Sequence, residues 1–243
     1  MISSRRLIIQ TKWEFLLNSR NSEQILLLVL IPIVILVVLT KTTIIGGETT
    51  ELPSALATVL TISTFAAGLT SLAIATAFER RSETLVFLGT TSLTRVEVVL
   101  AKSLGSLLLA IFAGLFTFTA AIILGWTPTP FTILIPLWMV LGVFSVSGFA
   151  YLLAGTLRAE AVLAIANGIF VLVLMFGGVI FTFGTSITNV LEFFPPLALK
   201  NLIQFSVTDG NEVTGVHVIK AMSILMVWGV IGHMLASRFF KWR

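Results

Sequence analysis

Of the chain's 243 residues, 57% are hydrophobic and only 11% charged, with 15 Lys and Arg against 11 Asp and Glu. So few charges cannot form the solvated shell of a globular domain, which excludes a soluble enzyme and a disordered tail. Cysteine is absent and His217 and His233 are the only histidines, which removes disulfide scaffolds, thiolate metal sites, iron–sulfur clusters, cysteine nucleophiles and a histidine-rich metal centre.

Residues 1–22 carry Arg5, Arg6, Lys12, Trp13, Glu14 and Arg20 and read as an interfacial helix. Ile9, Trp13, Leu16 and Leu17 fall on one side and Gln10, Glu14 and Asn18 on another, with Leu7 and Phe15 breaking the pattern. The stretch is too long and mixed for a signal n-region, so the apolar run that follows is expected to be retained. Crossing about 30 Å of hydrocarbon takes about 20 apolar residues. Six continuous runs qualify, at about 25–45, 54–78, 99–125, 131–157, 159–183 and 216–237. Continuous rather than alternating apolarity argues against an outer-membrane barrel. The expected fold class is all-α integral membrane, a single transmembrane domain over 1–243.

Placing the N-terminus in the cytoplasm puts Arg5, Arg6, Lys12, Arg20, Arg80, Arg81, Arg95, Lys102, Arg158, Arg238, Lys241 and Arg243 inside, against Lys41, Lys200 and Lys220 outside. An even number of spans returns both basic tails to the same side. The expected location is therefore the cytoplasmic (plasma) membrane, multi-pass, with both termini cytoplasmic. Trp126 to Pro130 and Arg158 to Glu160 are minimal connections that make runs three, four and five antiparallel neighbours.

Two connections are long. The segment 79–95 starts with Glu79, Arg80, Arg81 and Glu83, continues through Thr84 with Leu85 and Leu88 at i, i+3, and ends in a polar turn before Arg95. It reads either as a short helix that transmits force to the second and third spans, or as a solvated loop with snorkelling arginines. The outer segment 184–215 is too apolar for a free loop, and its proline pair forbids one continuous helix. Two short re-entrant helices are expected, with Phe193, Phe194, Pro195 and Pro196 forming either an outer gate or a packing plug.

Ionisable residues are scarce within the runs. Glu97, Lys102, Arg158 and Glu160 lie near predicted ends, where they are expected to snorkel, and the two histidines are expected to be interfacial. Sixteen residues apart on one helix, the histidines sit about 24 Å from each other and cannot share a metal. The milder interior polarity includes Thr61, Thr64, Ser145, Tyr151 and Asn167, which either line a substrate path or serve tight helix packing. Without a buried carboxylate ladder, an apolar or amphipathic substrate is favoured over a small ion.

Glu79 to Lys102 resembles the cytoplasmic loop of ABC-2 type transporter permeases, the membrane subunits of type V ABC exporters. That pattern runs as a charged stretch, Gly-Thr-Leu-Glu, two or three leucines, Ser-Pro, an apolar residue, Ser-Arg, and Gly-Lys seven residues after the Arg. Arg95 and Lys102 keep the spacing, and Thr84, Leu85, Leu88, Leu93 and Thr94 match, while Glu83, Val86 and Ser92 stand where Gly, Glu and Pro are usual. The order of interfacial helix, six spans, long inner loop and Pro-Pro outer loop resembles the family over the whole chain. The resemblance implies a permease that pairs with a second copy or related permease and is driven by a separate ABC ATPase subunit holding ATP and Mg. It also implies that this chain binds no cofactor or metal, has no catalytic residue, and touches the ATPase through the interfacial helix and Glu79, Arg80, Arg81, Glu83, Thr84, Leu85, Leu88 and Arg95. The sequence agrees at one point, since it has no G-x-x-x-x-G-K-[ST] phosphate loop. The expected function is export of a drug, lipid or lipid-linked molecule, with membrane lipid and no nucleic acid as partners. Export of haem or a cofactor-like molecule and a non-transporting membrane assembly or scaffold role are the alternatives. A membrane enzyme lacks a clustered acid, base and nucleophile.

Overall fold

Every regular element among the described residues is helical, as continuous apolar runs punctuated by Gly, Pro and polar turns demand. The computed structural model describes residues 3–20, 22–43, 49–181, 184–208 and 215–240, with the backbone alone for 22–27. In chain order the helices are α1 (Ser4–Ser19), α2 (Ser22–Lys41), α3 (Leu52–Arg81), α4 (Thr84–Gly89) and α5 (Arg95–Ile123). They continue with α6 (Pro130–Thr156), α7 (Ala159–Phe176), α8 (Thr185–Leu191), α9 (Pro195–Val207) and α10 (Gly215–Phe239).

Five of them, α3, α5, α6, α7 and α10, are long and apolar enough to cross a bilayer. The first expected run corresponds to α2, whose described side chains form the shorter apolar stretch Leu28–Lys41; residues 44 and 45 of that run lie outside the described residues. Prolines open helices where a missing N–H costs nothing: Pro53 in α3, and the Pro195–Pro196 pair in α9. The fifth run differs from its expected 159–183. Its helix stops at Phe176, because Gly177 and Gly178 follow and Gly178 takes φ 70°, the left-handed conformation that closes a helix. Residues 182 and 183 lie outside the described residues, as do 209–214 of the outer segment and the tail bases Lys241 and Arg243.

Helix α6 is the hub, packing on α3, α5, α7, α9 and α10. Its contact with α10 is the closest, because Gly148 faces Gly232: a Cβ on Gly148 would stand 2.3 Å from the Gly232 carbonyl carbon. Burial grades outward, from 78% of the most apolar stretch of α3 to 17% of that of α7, so α3 is the core helix and α7 a peripheral one. Within α3, residues Ala66–Ser71 form a π-helical turn. There the Ser106 hydroxyl of α5 donates to the Ala67 carbonyl at 2.6 Å.

The two ends of the bundle are chemically distinct. At one, Arg6 bonds the Ser92 carbonyl, Arg80 the Leu157 carbonyl and Arg81 pairs with Glu160, while Phe240 covers Gly155. This basic end holds both Ser3 and Phe240, the first and last described residues. At the opposite end, the Trp126 indole donates to the Val207 carbonyl at 3.3 Å and Lys220 pairs with Glu192 at 2.6 Å. From there α8 and α9 turn into the bundle. The Trp228 indole donates to the Phe193 carbonyl at 2.9 Å, and Trp228 lies about 20 Å down α10 from its start. The pair is therefore re-entrant.

Candidate functional site at the basic end and in the bundle

Helix α1 is inverted relative to a soluble amphipathic helix. Ile9, Trp13 and Leu17 are 49%, 53% and 61% exposed, whereas Thr11 and Glu14 are buried against the protein. Gly105 permits this seating, since a Cβ there would come within 2.7 Å of the Glu14 Cβ. At its other end α1 is tied to Glu97. The Ser3 N–H donates to Glu97 Oε1 at 2.7 Å, and the Arg6 guanidinium lies 3.4 Å from the same oxygen. Glu97 also completes a capping box at the start of α5, accepting from the Thr94 N–H at 2.7 Å while its own N–H donates to Thr94 Oγ1 at 3.2 Å.

Two expectations are corrected here. Glu97 and Lys102 do not snorkel to water, because both have protein partners that satisfy them inside, at 0% and 3% exposure. The Lys102 ammonium sits 3.0 Å from Glu14 Oε2 and pairs with Glu79 as well. One cation from α5 thus joins a carboxylate of α1 to a carboxylate of α3. The T-x-x-E spacing of Thr94 and Glu97 carries the capping signal in the sequence, whereas nothing local to Lys102 or Glu14 announces their pairing across 88 positions.

The candidate coupling residues separate into two groups. Glu79, Arg80 and Arg81 are engaged within the chain, with Lys102, the Leu157 carbonyl and Glu160 respectively, so the end of α3 is fastened to α1, α5 and the α6–α7 turn. Leu85 is buried and Leu88 half-buried, and both line a hollow of about 260 Å³ together with Leu93, Arg95 and Val98. Glu83, Thr84 and Arg95 are exposed. Thr84 shares a 2.9 Å hydrogen bond with Ser82. Glu83 adopts φ 60°, a left-handed conformation. It occupies the position where the ABC-2 pattern has Gly, which takes that conformation without strain. Sequence reasoning missed Phe87, which is 70% exposed on the outer side of α4. Its offset of two residues from Leu85, about 200° around a helix, is the available signal.

The five interior polar candidates do not meet in one path. Thr61, Thr64 and Ser145 are buried and bond back to the carbonyls of Ala57, Leu60 and Gly142 at 2.8, 2.8 and 2.7 Å, so their own helices satisfy them. Asn167 lines a cavity of about 620 Å³ between α1, α2, α3 and α7. The π turn forms part of its wall, and there the buried Thr70 hydroxyl lacks a hydrogen-bond partner among the described residues. Tyr151 lines a different cavity, of about 590 Å³, between α5, α6 and α10; its hydroxyl donates to the Val99 carbonyl at 2.8 Å. His233 is there too. It is half-buried, stacked on Phe144 at 5.0 Å with Nε2 3.4 Å from Ser147 Oγ. His217 is exposed in the first turn of α10.

In the re-entrant pair, Pro195 and Pro196 are buried at the start of α9, and Leu199, Leu202 and Ile203 are fully enclosed. Phe193 and Phe194 are exposed at the tip: Lys220 lies 4.8 Å above the Phe193 ring, and Phe194 sits 5.7 Å from Trp228. One helix is wedged into the core and the other rides beside it.

The fold is that of a multi-pass helical membrane protein whose long apolar helices are cross-braced to short helices at one end. The chain belongs to the ABC-2 type transporter family, whose model matches residues 5–194, more than three quarters of its length. It is an ABC transporter permease, a transport subunit that is not itself catalytic. The match ends at the Phe194 tip, so α9 and α10 lie beyond it. No curated protein matches the chain.

Proposed function

We propose that this permease is the membrane half of an ATP-driven exporter, worked by a separate ABC ATPase that docks on α4 and the α1 end and holds the ATP and Mg. The basic end faces the cytoplasm in this reading, following the charge asymmetry. The observation that carries it is the fastening of α4's neighbours. Glu79, Arg80 and Lys102 bind the end of α3 to α1, α5 and the α6–α7 turn, so a push on α4 reaches four helices at once. Exposed Phe87, beside Glu83 and Thr84, offers the aromatic anchor such a partner would enclose.

The substrate is proposed to be a hydrophobic or amphipathic molecule, such as a drug, a lipid or a lipid-linked compound. It enters the cavity between α1, α2, α3 and α7, where the π turn and the Thr70 hydroxyl, without a hydrogen-bond partner among the described residues, supply local polarity in an apolar wall. The Phe193–Phe194 tip gates the far side. A second copy covers the exposed apolar side of α7.

The test is copurification from the native membrane followed by assay of ATP hydrolysis in the purified material. Phe87→Asp is expected to lower the copurified ATPase activity at least about tenfold, since burying a charge in place of an aromatic anchor costs about 2 kcal/mol or more. Normal activity in that variant, with the permease folded, defeats the coupling assignment.

A further inference from the structure

The cavity between α5, α6 and α10 takes no part in the proposed path, and its geometry is that of a lipid groove. Its rim residues Val96, Leu100, Leu104 and Val140 are 37–55% exposed, so it opens sideways, where a membrane-spanning chain faces hydrocarbon. Polar groups in its wall are held by the protein: Tyr151 by the Val99 carbonyl and Ser103, His233 by the Gly229 carbonyl at 2.9 Å. Among the lining residues the one permanent charge is Arg95, at the basic end of the groove. From Arg95 to Leu107, the lining of α5 extends about 18 Å, close to the half-thickness of about 15 Å of a bilayer's hydrocarbon. A groove one leaflet long, apolar along its length and cationic at headgroup level, matches one class of ligand.

We infer that this groove binds an anionic phospholipid of the leaflet at the basic end, one acyl chain lying along α5 and the phosphate against Arg95. A guanidinium's planar fork of donors suits phosphate oxygens. Its volume of about 590 Å³ is that of a single-ligand site and accommodates one chain rather than a whole two-chain lipid, leaving the second chain in the bilayer. Arg95 also lines the hollow beneath Leu85 and Leu88 of α4. Lipid in the groove therefore engages a residue that also lines the hollow under α4, so the leaflet's charge acts at the basic end. The inference does not rest on the transport reading, because it needs no ATPase and no turnover.

The experiment uses the full-length permease in nanodiscs with phosphatidylglycerol or phosphatidylcholine carrying a diazirine near the end of one acyl chain. Labelled peptides are mapped by mass spectrometry under competition from the unlabelled lipids. The expected result is saturable labelling of the α5 and α6 peptides containing Leu104 and Val140, competed about fivefold or more better by phosphatidylglycerol than by phosphatidylcholine. Arg95→Gln should lower the phosphatidylglycerol preference about fivefold, the ~1 kcal/mol a basic residue gains at an anionic lipid surface. Val140→Trp, or Leu104→Trp if that variant fails to fold, should abolish the saturable labelling while labelling of Leu163 peptides on α7 persists. Equal labelling by the two lipids in the unaltered protein overturns the inference. So does an unchanged preference in Arg95→Gln, or protection of the groove by a second copy of the chain.

Discussion

Lys102 is the side chain on which the basic end turns. It is 3% exposed and flanked by Glu14 and the half-buried Glu79, so its removal leaves two carboxylates near each other without their shared cation. Breaking a buried pair from one side typically costs about 3–5 kcal/mol, while replacing every member with neutral groups is often close to neutral. Lys102→Met is therefore expected to lower the thermal midpoint in detergent sharply, and the triple variant Glu14→Gln, Glu79→Gln, Lys102→Met to recover most of it. A triple variant as unstable as the single one would show that packing, not charge, is what Lys102 supplies. At this scale the sequence was least legible. The spacing of Arg95 and Lys102 identified Lys102 as part of a pattern, but a lysine near a helix end reads as snorkelling unless its partners are known, and one of them is 88 residues away. Glu97, with Thr94 three positions before it, was legible in principle through its cap.

At the level of single helices, α4 is six residues long and held mainly by Leu85, so its stability rests on its junctions. The junction with α3 passes through Glu83 at φ 60°, where a side chain with a Cβ is strained by about 1–2 kcal/mol relative to right-handed backbone. Glu83→Gly is expected to slow hydrogen exchange of the α4 amides several-fold, with the rest of the bundle unchanged; faster exchange would mean that the Glu83 side chain itself holds the junction. Spans were easy to read because about 20 continuous apolar residues have few other fates. Helix ends were less so. The fifth run continued apolar through residue 183, and only the Gly177–Gly178 pair marked the true stop. The orientation of α1 was not legible, because which face of an amphipathic helix meets protein depends on whether the protein offers a charge to the polar one.

Seen whole, the molecule has a buried core of α3, α6 and α9 and a thinly covered flank at α7. Leu163, Val171, Leu172, Met175 and Phe176 of α7 are all more than 40% exposed. An apolar flank this continuous fits a second copy of the chain as well as it fits lipid. Because the chain has no cysteine, a single introduced one reports without background. Leu172→Cys is expected to form a disulfide-linked dimer in membranes on oxidation, and Leu115→Cys, exposed on α5, to remain monomeric. The reverse pattern would move the interface to α5. Composition alone put this chain in the membrane, and the resemblance of one loop pointed to the family; the division of the interior into two separate cavities had no counterpart in the sequence, because residues on seven helices define them.

The π turn of α3 has a bearing on how that helix is aligned and altered. A π turn accommodates one residue more than the α-helix it interrupts, which shifts the angular phase of everything after it by about 100°. Residues beyond Ser71, Glu79 among them, therefore meet their neighbours in a different phase from residues before Ala66. A helical wheel drawn through Leu52–Arg81 in one sweep assigns one half to the wrong side. Deleting one residue between Ala66 and Ser71 is therefore expected to return the turn to α-helix with Glu79 still facing Lys102, whereas straightening the turn without a deletion would rotate the charged end of α3 by about 100°.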